Sequence, residues 1–417
     1  MSGTALSKFA DFIASTGPAY LTGPDVLVNE AVERNYLWGE LARGRTGANV
    51  QSGTEIKDAL MLDASNTFEF YKPNATFSYR NPQVIDTISA PWRFAVDHMA
   101  FTDHEIELNA GEGLSREGLK TVYKRLKRQK EQRMVTSLIN GMEASLFADP
   151  VADQAEIETA TGSKPFPLSM LINEIITGSS SPQLGEVRGG GKPKGYSSIM
   201  GIDPFDEPRW GNQVAFYDTS TNSVANADVA NIVNDPGTTG AEGTVNVPKG
   251  GLLNCFDDMF LKCEYTAPAQ FSEYFDNASM RSQIIACSRL GLNQYIDKLR
   301  TENDRLVSPQ DPAYAQPSYA GIPLRYISKL DNAAMYPTNT YNTATSSSTE
   351  SGADRPGARY YFINAEYLSC VLHGRHFFKK SDVMRHPNQP YTSIVLCDTW
   401  WNLMARSRQR HGIIAPV

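Results

Sequence analysis

Apolar residues change their spacing several times along this chain, and each change marks an element. Leu6, Phe9 and Ile13 recur at helical spacing, and Gly17-Pro18 stops that stretch. A second helical pattern starts at Pro24-Asp25 and runs through Val28, Val32, Tyr36 and Leu41, with Gly44 and Gly47 ending it. From about Thr54 helical spacing fades, and by Phe68 the period is two. Phe68 and Phe70 alternate with polar residues, Lys72-Pro73-Asn74 turns, and Phe77 and Tyr79 alternate again. This predicts a β-hairpin with an aromatic face. Ile88, Ala90, Trp92, Phe94 and Val96 form a further alternating strand, extended by Ile106 and Leu108. Pro91 within it indicates an edge or a bulge.

The clearest helix follows. Ser115 is a suitable N-cap, and Asp149-Pro150 closes the pattern. Leu119, Val122, Leu126, Val135, Leu138, Ile139, Met142 and Leu146 supply its apolar stripe. At 1.5 Å per residue, roughly 30 residues make a rod of about 45 Å. A second helix is predicted from about Ser279 to Leu306, carrying Ile284, Ile285, Leu292, Tyr295, Ile296 and Leu299. Strand character returns at Tyr391 to Val395, followed by Trp400-Trp401. Between these elements, residues 219–249 lack aromatic residues and 336–358 are rich in Ser, Thr, Asn and Gly. Such stretches bury little and read as surface insertions.

Composition narrows the class. The 417 residues are 41% hydrophobic and 20% charged, which is a globular profile and excludes a disordered or collagen-like chain. Five scattered cysteines without a CxxC pair fit a reducing compartment. No apolar run reaches the roughly 18 residues of a membrane span, and the first residues lack a secretory pattern. The expectation is a protein with no membrane role. Net charge is −7, but residues 116–133 carry +6 and 374–411 carry +5, leaving −18 for the remainder. Two basic segments therefore sit in an acidic body.

Candidate chemistry is sparse. GEVRGGGKPKG (185–195) has a lysine after glycines, but Glu186 stands where a phosphate loop needs Gly and Pro193 where it needs a hydroxyl, so a flexible surface loop is expected. His98, Asp103, His104 and Glu105 match no zinc spacing. His98 is in phase with Trp92, Phe94 and Val96, which predicts a half-buried strand histidine. Asp257-Asp258 is expected to point two ways along a strand. Cys255 and Cys263 lack a nearby base and read as buried thiols. No catalytic, cofactor or metal residue is assigned.

The basic segments have two readings. Lys120, Lys124, Arg125, Lys127, Arg128 and Lys130 can be a solvated helix face, or a face that meets acidic neighbouring subunits or polyanion. Arg406, Arg408 and Arg410 alternate, so on a strand they would form one positive row, read here as an interface feature.

The order of elements is arm, long hairpin, long helix, loop-rich middle and terminal return strand. It resembles the major capsid proteins of tailed bacteriophages, of the Hong Kong 97 type fold. The resemblance is carried by TFEFYKPNATFSYRNP, by WRFAVDHMAFTDHEIELNAG leading into the helix that ends SLINGMEASLF, by GGLLNCFDDMFLKCEYTAPAQFSEYFDN with the helix after it, and by TWWNLMARSRQRHGII. It implies an α+β capsid fold: N-terminal arm (1–53), E-loop hairpin and adjoining strands (54–112), peripheral domain with its spine helix at 115–147 (113–165), a mostly axial domain with loop insertions (166–390), and a C-terminal return strand (391–417). It implies a non-enzymatic shell subunit that forms the hexamers and pentamers of an icosahedral head. The implied site is a set of subunit contacts: Phe68, Phe70, Tyr71, Lys72, Phe77 and Tyr79 of the hairpin, Arg125, Lys127 and Arg128 of the spine helix, and Arg406, Arg408 and Arg410. The implied partners are copies of itself, a portal, and packaged double-stranded DNA bound without sequence preference. The first fifty residues are too short for the scaffolding segment of some relatives. A separate scaffolding protein, or a segment removed earlier, is therefore expected. The implied location is the virion, after assembly in the host bacterial cytoplasm. A cellular nanocompartment shell of the same fold is one alternative. A metal-dependent enzyme using His98, Asp103, His104 and Glu105 is the other.

Overall fold

The structure, a computed structural model, describes residues 36–43, 53–62, 70, 72, 85–105, 116–159, 162–174, 187–193, 195–217, 251–263, 283–302, 317–331 and 358–416. Helix α1 is Tyr36–Arg43, the end of the second helical pattern. Strands β1 (Glu55–Met61), β2 (Ile85–Pro91) and β3 (Arg93–Thr102) follow. Then come helix α2 (Arg116–Leu146) and the short helices α3 (Gln154–Glu158) and α4 (Leu168–Leu171). Strands β4 (Arg188–Gly189) and β5 (Gln213–Tyr217) precede helix α5 (Leu252–Lys262). Next are β6 (Gln283–Cys287), helix α6 (Arg289–Glu302), β7 (Ser318–Tyr319) and β8 (Ile322–Tyr326). The chain closes with β9 (Tyr360–Asn364), β10 (Leu368–Leu372), β11 (Lys379–Lys380), β12 (Met384–His386), β13 (Gln389–Ala405) and β14 (Gly412–Pro416). The described residues fall into two compact units. One holds Phe94–Glu143 and Leu372–Trp401, the other Tyr36–Arg93, Ala144–Val371 and Asn402–Val417.

The larger unit is built on a seven-stranded sheet in the order β4-β5-β14-β9-β6-β8-β7. β14 is parallel to β5 and antiparallel to β9, which is in turn antiparallel to β6. β6, β9 and β14 are buried at every position, as strands covered on both faces are. On one face Phe256 of α5 is the hub. Its ring centroid lies 5.0–5.3 Å from those of Tyr295, Tyr319, Tyr360 and Phe362. Cys255, Met259, Cys263, Ile285, Leu324 and Ile414 complete this core. Glycine lets helices approach the sheet: a Cβ at Gly412 would collide with Met259, and one at Gly291 would crowd Ala358, Cys287 and Tyr360.

Buried arginines fasten the irregular segments to this unit. Arg408 is fully buried and donates to the carbonyls of Leu171, Trp210 and Gly191 and to Asn212 Oδ1. Arg359 forms a buried ion pair with Glu174. Arg93 donates to the carbonyls of Ile157, Thr159 and Gly162. A guanidinium satisfies several carbonyls at once, which is what turn-rich backbone needs when it is buried.

The smaller unit contains most of α2, most of β3, the strands β11 and β12, and most of β13. β3, β11 and β12 each pair with β13. The helix has 31 residues, close to the predicted span. Leu126, Met134, Leu138 and Met142 are buried along it at i, i+8, i+12 and i+16, multiples of the four-residue helical spacing. Lys130 donates to Ala100 O at 2.9 Å and meets Glu105 at 2.5 Å, and Lys380 of β11 reaches Glu131.

Three expectations are corrected. The second predicted helix begins only at Arg289, because Gln283–Cys287 is a strand. Ile284-Ile285 fits either period, and pairing with β8 and β9 decides it. Asp257 and Asp258 lie on helix α5, both exposed, and Tyr319 Oη donates to Asp257. The glycine run after residue 187 is not a surface loop. Gly190 and Gly191 are buried, and a side chain at Gly190 would strike Asn212.

Candidate assembly surface

The sheet of the smaller unit has two unlike faces. Along β13, Val395, Cys397, Thr399 and Trp401 are buried. Lys380 pairs directly with Cys397 and so shares this side, and its ammonium reaches Glu131 of α2. This is the helix-covered face. The alternate residues Ile394, Leu396, Asp398 and Trp400 belong to the other face, as do Lys379, paired with Asp398, and Met384, paired with Ile394. Phe94 of β3 joins them, its ring 4.9 Å from Trp400 at 81°. On this side Phe94 is 61% exposed and Val96 65%, with Met384 and Leu396 also open. A strand that alternates buried and exposed normally shows water a polar face; this one shows it apolar side chains.

One end of the open face is fixed by a stacked group. The His376 ring lies on Trp400 at 4.0 Å and 8°, and His373 is 4.9 Å from the same indole. Asp398 Oδ2 accepts from Trp400 Nε1–H at 2.8 Å and lies 3.1 Å from His376 Nδ1. One carboxylate thus orients both rings and holds the indole edge-on to Phe94.

The second apolar surface is the hairpin of the larger unit. β1 and β2 pair antiparallel from Glu55↔Pro91 to Met61↔Ile85. Ile56, Ile88 and Ala90 are buried, whereas the paired Met61 and Ile85 at the far end are exposed. Each pair sums to 146, so the register's symmetry point is residue 73, inside the predicted Lys72-Pro73-Asn74 turn. Phe70 is 94% exposed and Lys72 is exposed. Phe68, Tyr71, Phe77 and Tyr79 lie outside the described residues.

The basic candidates separate. Lys127 is half-buried and Arg128 exposed on α2, while the Arg125 side chain is outside the described set. Arg406, Arg408 and Arg410 do not form a row. β13 ends at Ala405, and residues 406–411 turn before β14. Arg406 is exposed and its Nε lies 3.0 Å from Asp58 Oδ2 of the hairpin. Arg410 stacks over Tyr367 at 4.7 Å. Arg408 is committed to four acceptors inside its own chain and presents no charge to a neighbour.

The residues of the metal-enzyme alternative do not converge. His98 is exposed rather than half-buried, Glu105 holds Lys130, and Asp103 lies toward Arg385 at 4.0 Å. Among the described residues no group of three or more His, Cys, Asp or Glu is placed to hold a metal. All five cysteines are buried, and burial pushes the Cys255 and Cys287 thiols up to about 12.

No family model matches the sequence, and no curated protein matches it. Similar solved structures include phage capsids and the capsid of a GTA particle. The capsid asymmetric unit of cyanophage A-1(L) is 11% identical, over 95% of this chain and 96% of that one, with a TM-score of 0.47. The capsid of cyanophage P-SCSP1u is 11% identical over 100% and 95%, TM-score 0.44. The capsid of Myoviridae phage XM1 is 8% identical over the full length of both, TM-score 0.43.

Sequence reasoning missed the open face. Phe94 and Val96 continue the alternation of Trp92 and were read as facing inward. Trp92 and Arg93 are both buried, so the phase slips by one residue after Pro91 and every later side chain changes sides. Pro91 was the available signal.

Proposed function

We propose that this chain is the major capsid protein of a tailed double-stranded DNA phage, a non-enzymatic subunit of the Hong Kong 97 type that assembles with copies of itself into an icosahedral head. The observation that carries the reading is the open apolar face around Phe94, Val96, Met384, Leu396 and Trp400. Apolar surface left open on an otherwise well-packed unit marks a place where another chain sits. The exposed end of the hairpin, with Met61, Phe70 and Ile85, is a second such surface, and it fits the E-loop role of lying over a neighbouring subunit.

In this reading hexamers and pentamers are the building units, and a separate scaffolding protein and a portal take part in assembly in the host cytoplasm. Lys127 and Arg128 supply charge toward neighbours or toward DNA on the inner side. Electron microscopy of the purified chain, alone and with candidate scaffolds, tests the proposal. Uniform closed shells or capsomer rings are expected. Replacing Phe68, Phe70 and Phe77 with Ser leaves a folded chain that forms none; normal particles from that variant would remove the hairpin from the assembly role. Charge reversal at Arg125, Lys127 and Arg128 separates the two basic readings. Failure of empty shells points to subunit contacts, and failure of packaging alone points to DNA.

A further inference from the structure

His411 stands at a crossing of the larger unit's sheet and is fully buried. Its backbone N–H donates to Arg408 O at 3.0 Å, and its carbonyl accepts from Gln213 N–H at 2.8 Å. Its ring reaches a third segment, where the backbone N–H of Asn364 donates to Nδ1 at 3.1 Å. The turn with Arg408 and strands β5 and β9 therefore meet at one residue, immediately before β14. An N–H can donate only to a ring nitrogen that carries no proton. The bond to Asn364 thus fixes the neutral tautomer with the proton on Nε2, and Nε2 has no hydrogen-bond partner among the described residues.

The surroundings oppose a second proton. Arg408 and Arg410 stand on its own turn, and both repel an imidazolium. β5 contributes Gln213, preceded by Asn212, and β9 contributes Asn364, all neutral. Glu366 is on the turn after β9, where its backbone N–H donates to Asn364 Oδ1. Burial and the two arginines push the His411 ring down from 6.5 to about 3.

We propose that His411 is an acid-operated latch for the C-terminal strand: uptake of a solvent proton at Nδ1 breaks the bond from Asn364 N–H and frees β14 from its place between β5 and β9. The unfolded chain takes up the proton at the ordinary histidine pH, and the folded chain resists it. The latch's stability is whole above pH 6.5 and is lost as the pH falls from there toward 3. β14 is interior to the sheet, so its release divides the seven strands rather than fraying an edge.

The test is urea unfolding of the full unassembled chain from pH 7 to 4, with His411→Asn beside the wild type. Asn carries an acceptor oxygen near the place of Nδ1 and takes up no proton. Between pH 6 and 4 the wild type's folded-to-unfolded ratio is expected to fall about tenfold more per pH unit than the variant's. Parallel pH profiles would overturn the latch, whatever the variant's stability at pH 7. Hydrogen exchange on the wild type, corrected for intrinsic rates, keeps the proposal testable if the variant does not fold. Amides of residues 412–416 are expected to lose protection in acid before those of 322–326. Simultaneous loss, or none down to pH 4, would refute it.

Discussion

Phe256 and Phe94 are the same residue type on two sheets of one chain. Phe256 meets four aromatic rings at 5.0–5.3 Å and is fully buried. Phe94 touches Trp400 and leaves 61% of itself in water. Among the described residues the seven-stranded sheet is covered on both faces, whereas the sheet around β13 is covered on one. The second carries the same apolar chemistry on its open face, so substitutions there separate an effect on folding from an effect on any contact with another chain.

The strongest way to break this contrast is truncation on the two sides. Phe256→Ala should lower the stability of the larger unit by about 3–5 kcal/mol, the usual cost of removing a core aromatic. Phe94→Ala should change stability by no more than about 0.5 kcal/mol, as surface substitutions do. Urea midpoints measure both, and equal losses would erase the distinction. Charge gives a second pair. Arg359→Met leaves Glu174 buried without its partner and should cost about 3–5 kcal/mol. Arg406→Met removes an exposed pair with Asp58 and should cost less than about 1 kcal/mol.

The comparison sharpens with Phe94→Ser, Val96→Ser and Leu396→Ser combined. Stability should move by no more than about 1 kcal/mol, while sedimentation should show self-association abolished. A variant that still assembles would show that the open face is not an interface. A small effect is also expected for Lys380→Ala. Its bond to Glu131 is partly exposed, so thermal unfolding should register about 0–1 kcal/mol.

Long elements were legible and short ones were not. Helix α2 announced both ends in the sequence, through Ser115 and Asp149-Pro150, and it runs Arg116–Leu146. The register of β1 with β2 centres on residue 73, in the predicted Lys72-Pro73-Asn74 turn, and the paired ends Met61 and Ile85 each lie twelve residues from that centre. Gln283–Cys287 was misread because its run of four apolar residues, Ile284 to Cys287, fits a helix or a strand equally well. The side assignment of Phe94 failed for another reason: one extra residue in phase inverts a whole strand without altering its alternation. Arg408 was misplaced because nothing local marks the end of β13 at Ala405, and its four acceptors come from residues 171 to 212.

The five buried thiols make the chain its own reporter of opening. Cys397 belongs to the smaller unit, and Cys255, Cys263, Cys287 and Cys370 to the larger. A thiol held protonated and out of solvent reacts with an alkylating reagent only during an excursion that exposes it. Labelling kinetics resolved by peptide mass therefore time the two units as separate clocks within one molecule, with no residue changed.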